Sequence, residues 1–537
     1  MILSFVALFL STGAKVANDL FEYSKNLEIF ASVYKEVGDK YVDEVPPGKL
    51  MKVAITSMLA SLDPYTNFFS EYQAEEALLE RQGEYGGVGC KVIFRNQLPT
   101  VSDVFEGYAF DKADIHIGDV ILKHNETSLK GKNQDDIMQL FRGAPNSTFQ
   151  LTLKRGNVEL TKTITRVSVK TKNVPYAGII APNIGYIKLD EFGQNCSDEI
   201  EAELKKLMAS GSLKGLVLDL RDNGGGLLNE AVDIVRLFVG NKQLVVFLEG
   251  KNENGPKNWY TAGEAIAPDL PLVVLVNKHS ASASEVVSGS LQDLDRAVIM
   301  GQTSFGKGLV QNYTNLPFRT QMKITTARYH TPSGRCIQKL NYSDRDESGK
   351  ATIKKEEEKK SFTTKSGRKV MDAGGIDPDI FIPLFGGTPW IQWFEKEYLL
   401  FDWANSFAIN NSSMFNAENW MQQDEKIFTD FQTFTLNQGP KNFETNWENH
   451  LKKQGIDSFF AQEMGLYKID NVKVKSVLSS AIIKNKLMLL NTLKQELLKR
   501  HAKRQNFYQE SLKIDFEIKE CIQLLQAPER IKLILRK

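Results

Sequence analysis

The period of apolar and polar positions changes several times along the chain, and each change predicts a different kind of element. Leu270 to Val276 is a continuous apolar run, with the length and β-branched content of a strand buried on both faces. Small residues then turn the chain, and Ser284 to Leu294 reads as a helix with Val286, Val287, Ser290 and Leu291 on one side. Ala297 to Met300 predicts a second buried strand, which opens into the glycine-punctuated loop Gly301 to Gly308. Upstream the same unit recurs: strand Gly185 to Leu189, helix Ser197 to Met208, strand Gly215 to Leu220, helix Leu228 to Phe238. Lys323 to Tyr329 adds a further strand. Alternation of this kind implies a mainly parallel sheet with helices packed against it.

The flanks carry other periods. Asn18 to Leu62 is helical in pattern, with Leu20, Leu27, Phe30, Val33 and Val37 on one stripe, and it is broken at Pro46, Pro47 and Gly48. Leu62 to Gln73 turns at Asp63-Pro64 and is expected to start another short helix. Between Gly83 and Val169 short strands take over, at Gly89–Phe94, Val120–His124, Thr148–Arg155 and Glu159–Arg166, with one helix at Asn133–Phe141. Ser343 to Lys360 is polar and charged and reads as a solvated loop, and Gly374 to Pro383 closes the α/β region. Trp390 to Lys537 is helical in pattern; the lysines spread between leucines and isoleucines from Val472 to Arg504 describe a solvated helix face. The expected division is a signal-like segment 1–17, a helical domain 18–82, a strand-rich domain 83–169, an α/β core 170–385 and a helical region 386–537.

Composition narrows the function. At 537 residues the chain exceeds what a single core supports. A net charge of +1 gives no electrostatic footprint for nucleic acid. Cys90, Cys196, Cys336 and Cys521 are scattered without a C-x-x-C pair, so neither a zinc site nor a disulfide framework is indicated, and the six histidines form no H-E-x-x-H, which argues against a metallohydrolase; the serine chemistry read below needs no metal or cofactor. The first residues, MILSFVALFLSTGAKVA, form an apolar run of signal-peptide size without a basic start, so export to the periplasm or cell envelope is expected; the alternative is a buried helix.

A serine at the mouth of a helix, beyond the C-terminal end of a parallel strand, stands where helix amides stabilise an anion. Ser282 is that serine, and its hydroxyl needs a neighbouring base. His279 is close in sequence, but three turning residues direct it elsewhere and no acid is at hand to orient its ring. Lys307, flanked by glycines in an otherwise apolar loop, is the better candidate, because desolvation favours a neutral amine that takes the serine proton. Gln311, four residues on, is placed to hold that amine. The developing oxyanion is expected between the amide of Ala283 and an amide of the Gly224–Gly226 turn, which has glycines but no Lys-Ser/Thr and so is no P-loop. Ser280 reads as a turn residue, Ser284 as a helix cap, and Asp293 as a structural partner of Arg296 or of a backbone amide.

Tyr85-Gly86-Gly87-Val88-Gly89, ahead of a strand, offers backbone amides to an anion, and with IHIGDVILKHN and the following helix the segment resembles a PDZ domain, which implies that it grips a polypeptide's C-terminal carboxylate. Asp114 and His116 depart from the usual pattern there. The set SASASE with QD-x-x-RA, T-x-FGKG-x-VQ, DLR-x-N-x-GG and Y-x-TPSGR-x-IQ resembles the C-terminal processing peptidases, or tail-specific proteases, from about Phe21 to Ile382. That resemblance implies a multidomain α/β protein: a helical N-terminal segment, the PDZ domain, a crotonase/ClpP-like α/β peptidase core and a helical C-terminal region. It further implies a serine endopeptidase with Ser282 as nucleophile, Lys307 as general base, Gln311 as its positioning partner, Gly225 and Ala283 as oxyanion donors, and Gly86, Gly87, Val88 and Gly89 as the carboxylate loop. The family often has proline where Gly224 stands. The implied partners are envelope proteins with unstructured C-termini; an adaptor or activator protein and a homo-oligomeric state stay open. Two rivals are a non-catalytic PDZ scaffold with a misaligned dyad and a crotonase-like acyl-CoA enzyme.

Overall fold

The computed structural model describes residues 2–71, 73–74, 84–132, 134–170, 172–211, 213–251, 255–346, 349–383, 389–417, 419–442, 471–501 and 504–536. The chain divides into two compact units, Met1–Ala74 with Gln311–Thr325, and Glu75–Val310 with Thr326–Lys537. Among the described residues no helix is long and apolar enough to cross a membrane.

In the first unit, helices cover Ile2–Lys40 and Pro47–Ala60. Pro47 opens the second helix, where its missing N–H needs no acceptor. The expected apolar stripe is not a packing face within this unit: Leu20, Leu27, Phe30 and Val33 are exposed. After the turn at Asp63-Pro64 a strand comes first, and the expected short helix follows it, with helical residues at Glu71, Gln73 and Ala74. The Asp63 carboxylate accepts the amides of Tyr65 and Thr66, both at 2.8 Å, and Asn67–Phe69 then pairs antiparallel with Gln321 to Lys323. Long-range pairing overrides the local preference.

In the second unit, the strand-rich segment has the PDZ architecture. Strands Cys90–Arg95, Leu98–Val104, Val120–His124, Thr148–Arg155 and Val158–Thr165 lie side by side in that order, and Val101, Phe110, Ile121, Ile137, Phe141, Leu151 and Leu153 fill the core beneath them. The helix is Gln134–Phe141; the position expected to start it, 133, lies outside the described residues. Glu84–Gly87 is a strand, paired antiparallel with Val167–Lys170, where a free glycine loop was expected.

The α/β core is a six-stranded sheet ordered Tyr176–Ala181, Ile184–Lys188, Gly215–Asp219, Leu272–Val276, Val298–Gly301 and Ile380–Phe381, parallel except for its first pair. Helices Cys196–Ala209, Leu228–Val239 and Ala283–Asp293 join one buried cluster with Leu218, Val274 and Ile299. Alternate residues of the same strands, Val217, Val273, Leu275 and Val298, face the other way and pack against Ile518, Cys521, Leu524 and Leu525 of the C-terminal helix Phe516–Leu525. The continuous apolar runs in sequence therefore reflect a sheet covered on both faces. Ser343 to Lys360 is not simply a loop, since Leu340–Arg345 and Ala351–Ile353 form an antiparallel hairpin.

The C-terminal helices also have a core of their own, around Trp403, Phe407, Phe431, Leu489, Leu493 and Leu497. This body contacts the PDZ domain through Arg95, whose guanidinium lies 2.5 Å from Asp402 and 4.6 Å from the Tyr398 ring centroid. Because Ile518 is fully buried against the sheet, Ile518→Ala is expected to cost about 2–5 kcal/mol, read as a lowered urea midpoint of the α/β transition.

Candidate active site

Three loops leave the C-terminal ends of adjacent parallel strands: residues 220–227 after Gly215–Asp219, 277–282 after Leu272–Val276, and 302–308 after Val298–Gly301. Side chains and backbone tie them into one body. Asn277 Oδ1 accepts the amides of Asp222 and His279 at 3.0 Å each, and its Nδ2 donates to Asp222 Oδ1 at 2.9 Å. The Ser280 hydroxyl, fully buried, donates to the Leu220 carbonyl at 2.8 Å, so Ser280 is the turn residue expected. Ser284 is not the helix cap: it too is buried, and its hydroxyl donates to the Asn223 carbonyl at 2.9 Å. Ser282 itself takes the N-cap position, with φ 56° and ψ −114°. A non-glycine residue so placed costs about 1–3 kcal/mol and is tolerated where surrounding contacts over-determine it. Its backbone is turned so that the side chain stands half-buried at the head of a wholly buried helix.

The contact that over-determines it is made by Glu285. This fully buried carboxylate accepts the Ser282 amide at 2.8 Å, the Gly306 amide at 2.7 Å, the Lys307 amide at 2.9 Å and the Ser304 hydroxyl at 2.5 Å. One side chain thus fastens the serine turn to the lysine loop. Burial pushes the Glu285 carboxyl above its usual range, and its hydrogen bonds only partly offset that. Tyr329, also buried, places its hydroxyl within hydrogen-bond distance of the Ser282 carbonyl, at 3.1 Å, and of the Lys307 carbonyl. Ser282 and Lys307 are thereby clamped together at the backbone, with the Lys307 side chain half-buried. Glu285 and Tyr329 are absent from the expected site residues. Ser282-x-x-Glu285 is a capping-box spacing and signals the first; no local pattern signals the second, which lies 47 residues from Ser282.

The oxyanion side is equally crowded. Gly225 has φ +103°, and a Cβ there would stand 2.8 Å from the Ser282 Cβ and 3.0 Å from the Ala283 amide nitrogen. The glycine backbone therefore lies directly against the serine and the first amide of its helix, for which the helix supplies no acceptor. The Gly225 amide donates to Asn223 Oδ1 at 2.8 Å, while Asn223, fully buried, donates Nδ2 to the Leu189 carbonyl at 2.9 Å and accepts the Ala281 amide at 3.0 Å. Gly224 has open space around its Cβ position, which suits the proline often found there in the family it resembles.

Gln311 belongs to the first unit, where its Nε2 donates to Thr325 Oγ1 at 3.3 Å. His279 is exposed. Asp293 is structural, but its partners are Arg335 at 2.8 Å and the Ser333 amide at 3.0 Å; Arg296 donates to the carbonyls of Phe238, Ala267 and Leu270. Gly86 and Gly87 pair with Ser168 and Val167, so the turn proper is Val88-Gly89, and Gly89, at φ +71°, lies against Tyr108. Among the described residues no acidic, histidine or cysteine cluster has the make-up of a metal site.

Beneath the oxyanion turn lies a buried ionic cluster. Asp219 accepts Arg221 Nη2 at 2.7 Å and the Tyr186 hydroxyl at 2.8 Å, and Lys188 Nζ is 3.7 Å away and donates to the Arg221 carbonyl. Burial acts to raise the Asp219 carboxyl, but Arg221 and Lys188 outweigh it and hold the group well below the usual aspartate range.

Residues 183–343 match the model of peptidase family S41, and residues 392–525 match the C-terminal helical domain of probable PDZ-proteases. The carboxy-terminal-processing protease of Bartonella bacilliformis is 34% identical over 58% of this chain and 73% of its own length. A probable CtpA-like serine protease of Staphylococcus aureus is 34% identical over 58% of this chain and 62% of its own, so the chain spans less than two thirds of that relative. The solved structure of a photosystem II D1 C-terminal processing protease is 28% identical, covers 60% of this chain and 90% of that one, and superposes with a TM-score of 0.37.

Two outcomes test this geometry. Gly225→Ala drives a methyl into the serine turn and is expected to abolish labelling of Ser282 by a fluorophosphonate, whereas Gly224→Ala leaves labelling intact and raises stability by about 0.4–1 kcal/mol. Since the folded Asp219 pKa is depressed, its contribution to stability is complete above the ordinary aspartate range and is lost as pH falls through the folded value. Asp219→Asn is therefore less stable than wild type at neutral pH, and the gap narrows on acidification in denaturant titrations.

Proposed function

The chain belongs to the carboxy-terminal-processing proteases of peptidase family S41, serine peptidases, and from that premise we propose that it cuts polypeptides after capturing their C-termini, with Ser282 and Lys307 as the catalytic dyad. The observation that carries the assignment is the shared anchor of the two residues: Glu285 accepts both backbone amides, at 2.8 and 2.9 Å. A serine held at φ 56° and a lysine fixed through the same carboxylate make a preorganised pair rather than two loop residues that chance to meet.

In this mechanism the neutral Lys307 amine takes the Ser282 hydroxyl proton as Oγ bonds to the scissile carbonyl carbon. Negative charge passes to the carbonyl oxygen and is received by the Ala283 amide, aided by the helix dipole, and by the Gly225 amide. The latter donates to Asn223 at rest, so accepting substrate exchanges one acceptor for another. Lys307 returns the proton to the leaving amine, giving an acyl-enzyme. Water then attacks the ester, its proton passes through Lys307 back to Ser282 Oγ, and the new carboxyl terminus leaves. Gln311, by resemblance, positions the lysine amine.

The Gly86–Gly89 segment of the PDZ domain is the proposed seat of the substrate carboxylate, with Val88 and Gly89 at the turn and the adjoining strand edge left for the tail. The apolar N-terminal run supports substrates in the cell envelope, which N-terminal sequencing of the mature protein from fractionated cells tests.

An unfolded reporter with an apolar C-terminal tail is expected to be cleaved faster than the same reporter with a charged tail. Ser282→Ala should be inert, and Lys307→Ala should lose about 10²–10⁴ in rate and be refractory to fluorophosphonate. Equal digestion by wild type and Ser282→Ala would sink the peptidase reading in favour of a PDZ scaffold; cleavage indifferent to the tail would sink the role of the PDZ domain alone.

A further inference from the structure

The three loops of the dyad site are fastened to one another from within the α/β core, yet two of them are also held from outside it. The helix Phe516–Leu525 begins with Asp515 as its N-cap: Oδ1 accepts the amides of Glu517 and Ile518 at 2.9 and 3.3 Å. The other oxygen, Oδ2, lies 2.9 Å from Arg221 Nη2. Glu517, in the first turn, divides its carboxylate between two loops. Oε2 accepts Arg221 Nη1 at 2.5 Å, and Oε1 accepts Gln302 Nε2 at 2.5 Å.

Arg221 and Gln302 are not surface residues with chance partners. Arg221 stands four residues before Gly225, its guanidinium is shared with Asp219, and its backbone carbonyl accepts Lys188 Nζ. Gln302 stands five residues before Lys307, is buried, and its amide donates to the Val276 carbonyl at 3.0 Å, on the strand that leads to Ser282. The C-terminal helix thus meets the oxyanion loop and the lysine loop at their roots, in a place where Arg221, Asp515 and Glu517 are each no more than 16% exposed. Charge accounts for the choice of residues. Asp219 is shared between Arg221 and Lys188, and Asp515 and Glu517 give the buried guanidinium two further carboxylates of its own. A carboxylate with two acceptor oxygens can also face a donor on each side, whereas its amide analogue turns an NH2 donor toward one of them.

We infer that Asp515 and Glu517 are positioning residues supplied by the C-terminal helical region: Glu517 bridges Arg221 and Gln302, so that the oxyanion turn and the lysine loop keep their register only while this helix is docked. The inference rests on the dyad reading of the site and extends it, because it makes the C-terminal region a working part of the catalytic body rather than a cover for one sheet face.

The test uses the full chain and two variants of the same helix. Glu517→Gln is isosteric but sets an NH2 against one of the two donors. Ile518→Ala trims the apolar face of the same helix, leaves it docked in the folded protein with both carboxylates in place, and touches neither loop. With a short peptide substrate, Glu517→Gln is expected to lower kcat roughly tenfold with KM within about twofold, and to slow fluorophosphonate labelling of Ser282 in proportion, as small misplacement of reacting groups does. Ile518→Ala, compared at equal fraction folded, should leave kcat within about twofold of wild type. In parallel, amide hydrogen exchange should quicken in peptides covering 222–227 and 302–308 of Glu517→Gln and stay unchanged in the PDZ hairpin 148–165. Unaltered kcat and labelling in Glu517→Gln, an equal kcat loss in Ile518→Ala, or exchange that is unchanged in both loops would overturn the inference. If wild-type protein neither cleaves nor labels, the dyad reading is what fails, and the exchange measurement alone then decides whether Glu517 couples the two loops.

Discussion

A single buried carboxylate sets the terms for everything at this site. Glu285 sits where burial disfavours its charge, and its oxygens are met by donors from the two loops that must meet: amides of Ser282, Gly306 and Lys307 and the hydroxyl of Ser304. An unpaired carboxylate in that position would be strongly destabilising, so the loops and the carboxylate require one another. The strained backbone of Ser282 follows from this constraint, since its amide must point at Glu285 while its side chain points away from the helix.

Around that anchor the remaining contacts are of a similar type: side chains bonding across loops distant in sequence, most of them to backbone atoms. Asn277 ties the serine turn to Asp222, Asn223 ties the oxyanion turn to Leu189 and Ala281, and Tyr329 spans the carbonyls of Ser282 and Lys307. Neighbouring loops held this way move as one body, and a body of that kind needs little reorganisation when charge develops on a substrate oxygen. Gly225 leaves no room for a side chain, and Gly226, Gly301 and Gly306, in or beside the same loops, are packed at least as closely.

The sheet that carries these loops is covered on both faces, by three helices of its own and by the C-terminal helix Phe516–Leu525. The same C-terminal region reaches the PDZ domain through Asp402 and Tyr398. It therefore contacts both the segment proposed to capture a tail and the segment proposed to cut it, which gives a physical reason for the fused helical domain to accompany a peptidase of this kind.

Much of this was legible in the chain itself. Period and β-branching located the parallel strands within one or two residues, because strands buried on both faces must be apolar throughout. Glycine placement at Gly225 and the serine before a buried helix marked the turn proposed to carry the nucleophile, because those local conformations restrict residue type. What sequence could not supply were relationships across distance. The strand at Asn67–Phe69 exists only through its pairing with Gln321 to Lys323, and Gly86 and Gly87 are strand residues only because Val167 and Ser168 lie opposite. Tyr329, Asn223 and Glu517 gain their roles from partners tens to hundreds of residues away, and Glu285, though its capping-box spacing to Ser282 is local, reaches the lysine loop the same way. Hydrogen bonds of that reach leave no periodicity behind, so tertiary structure alone decided them.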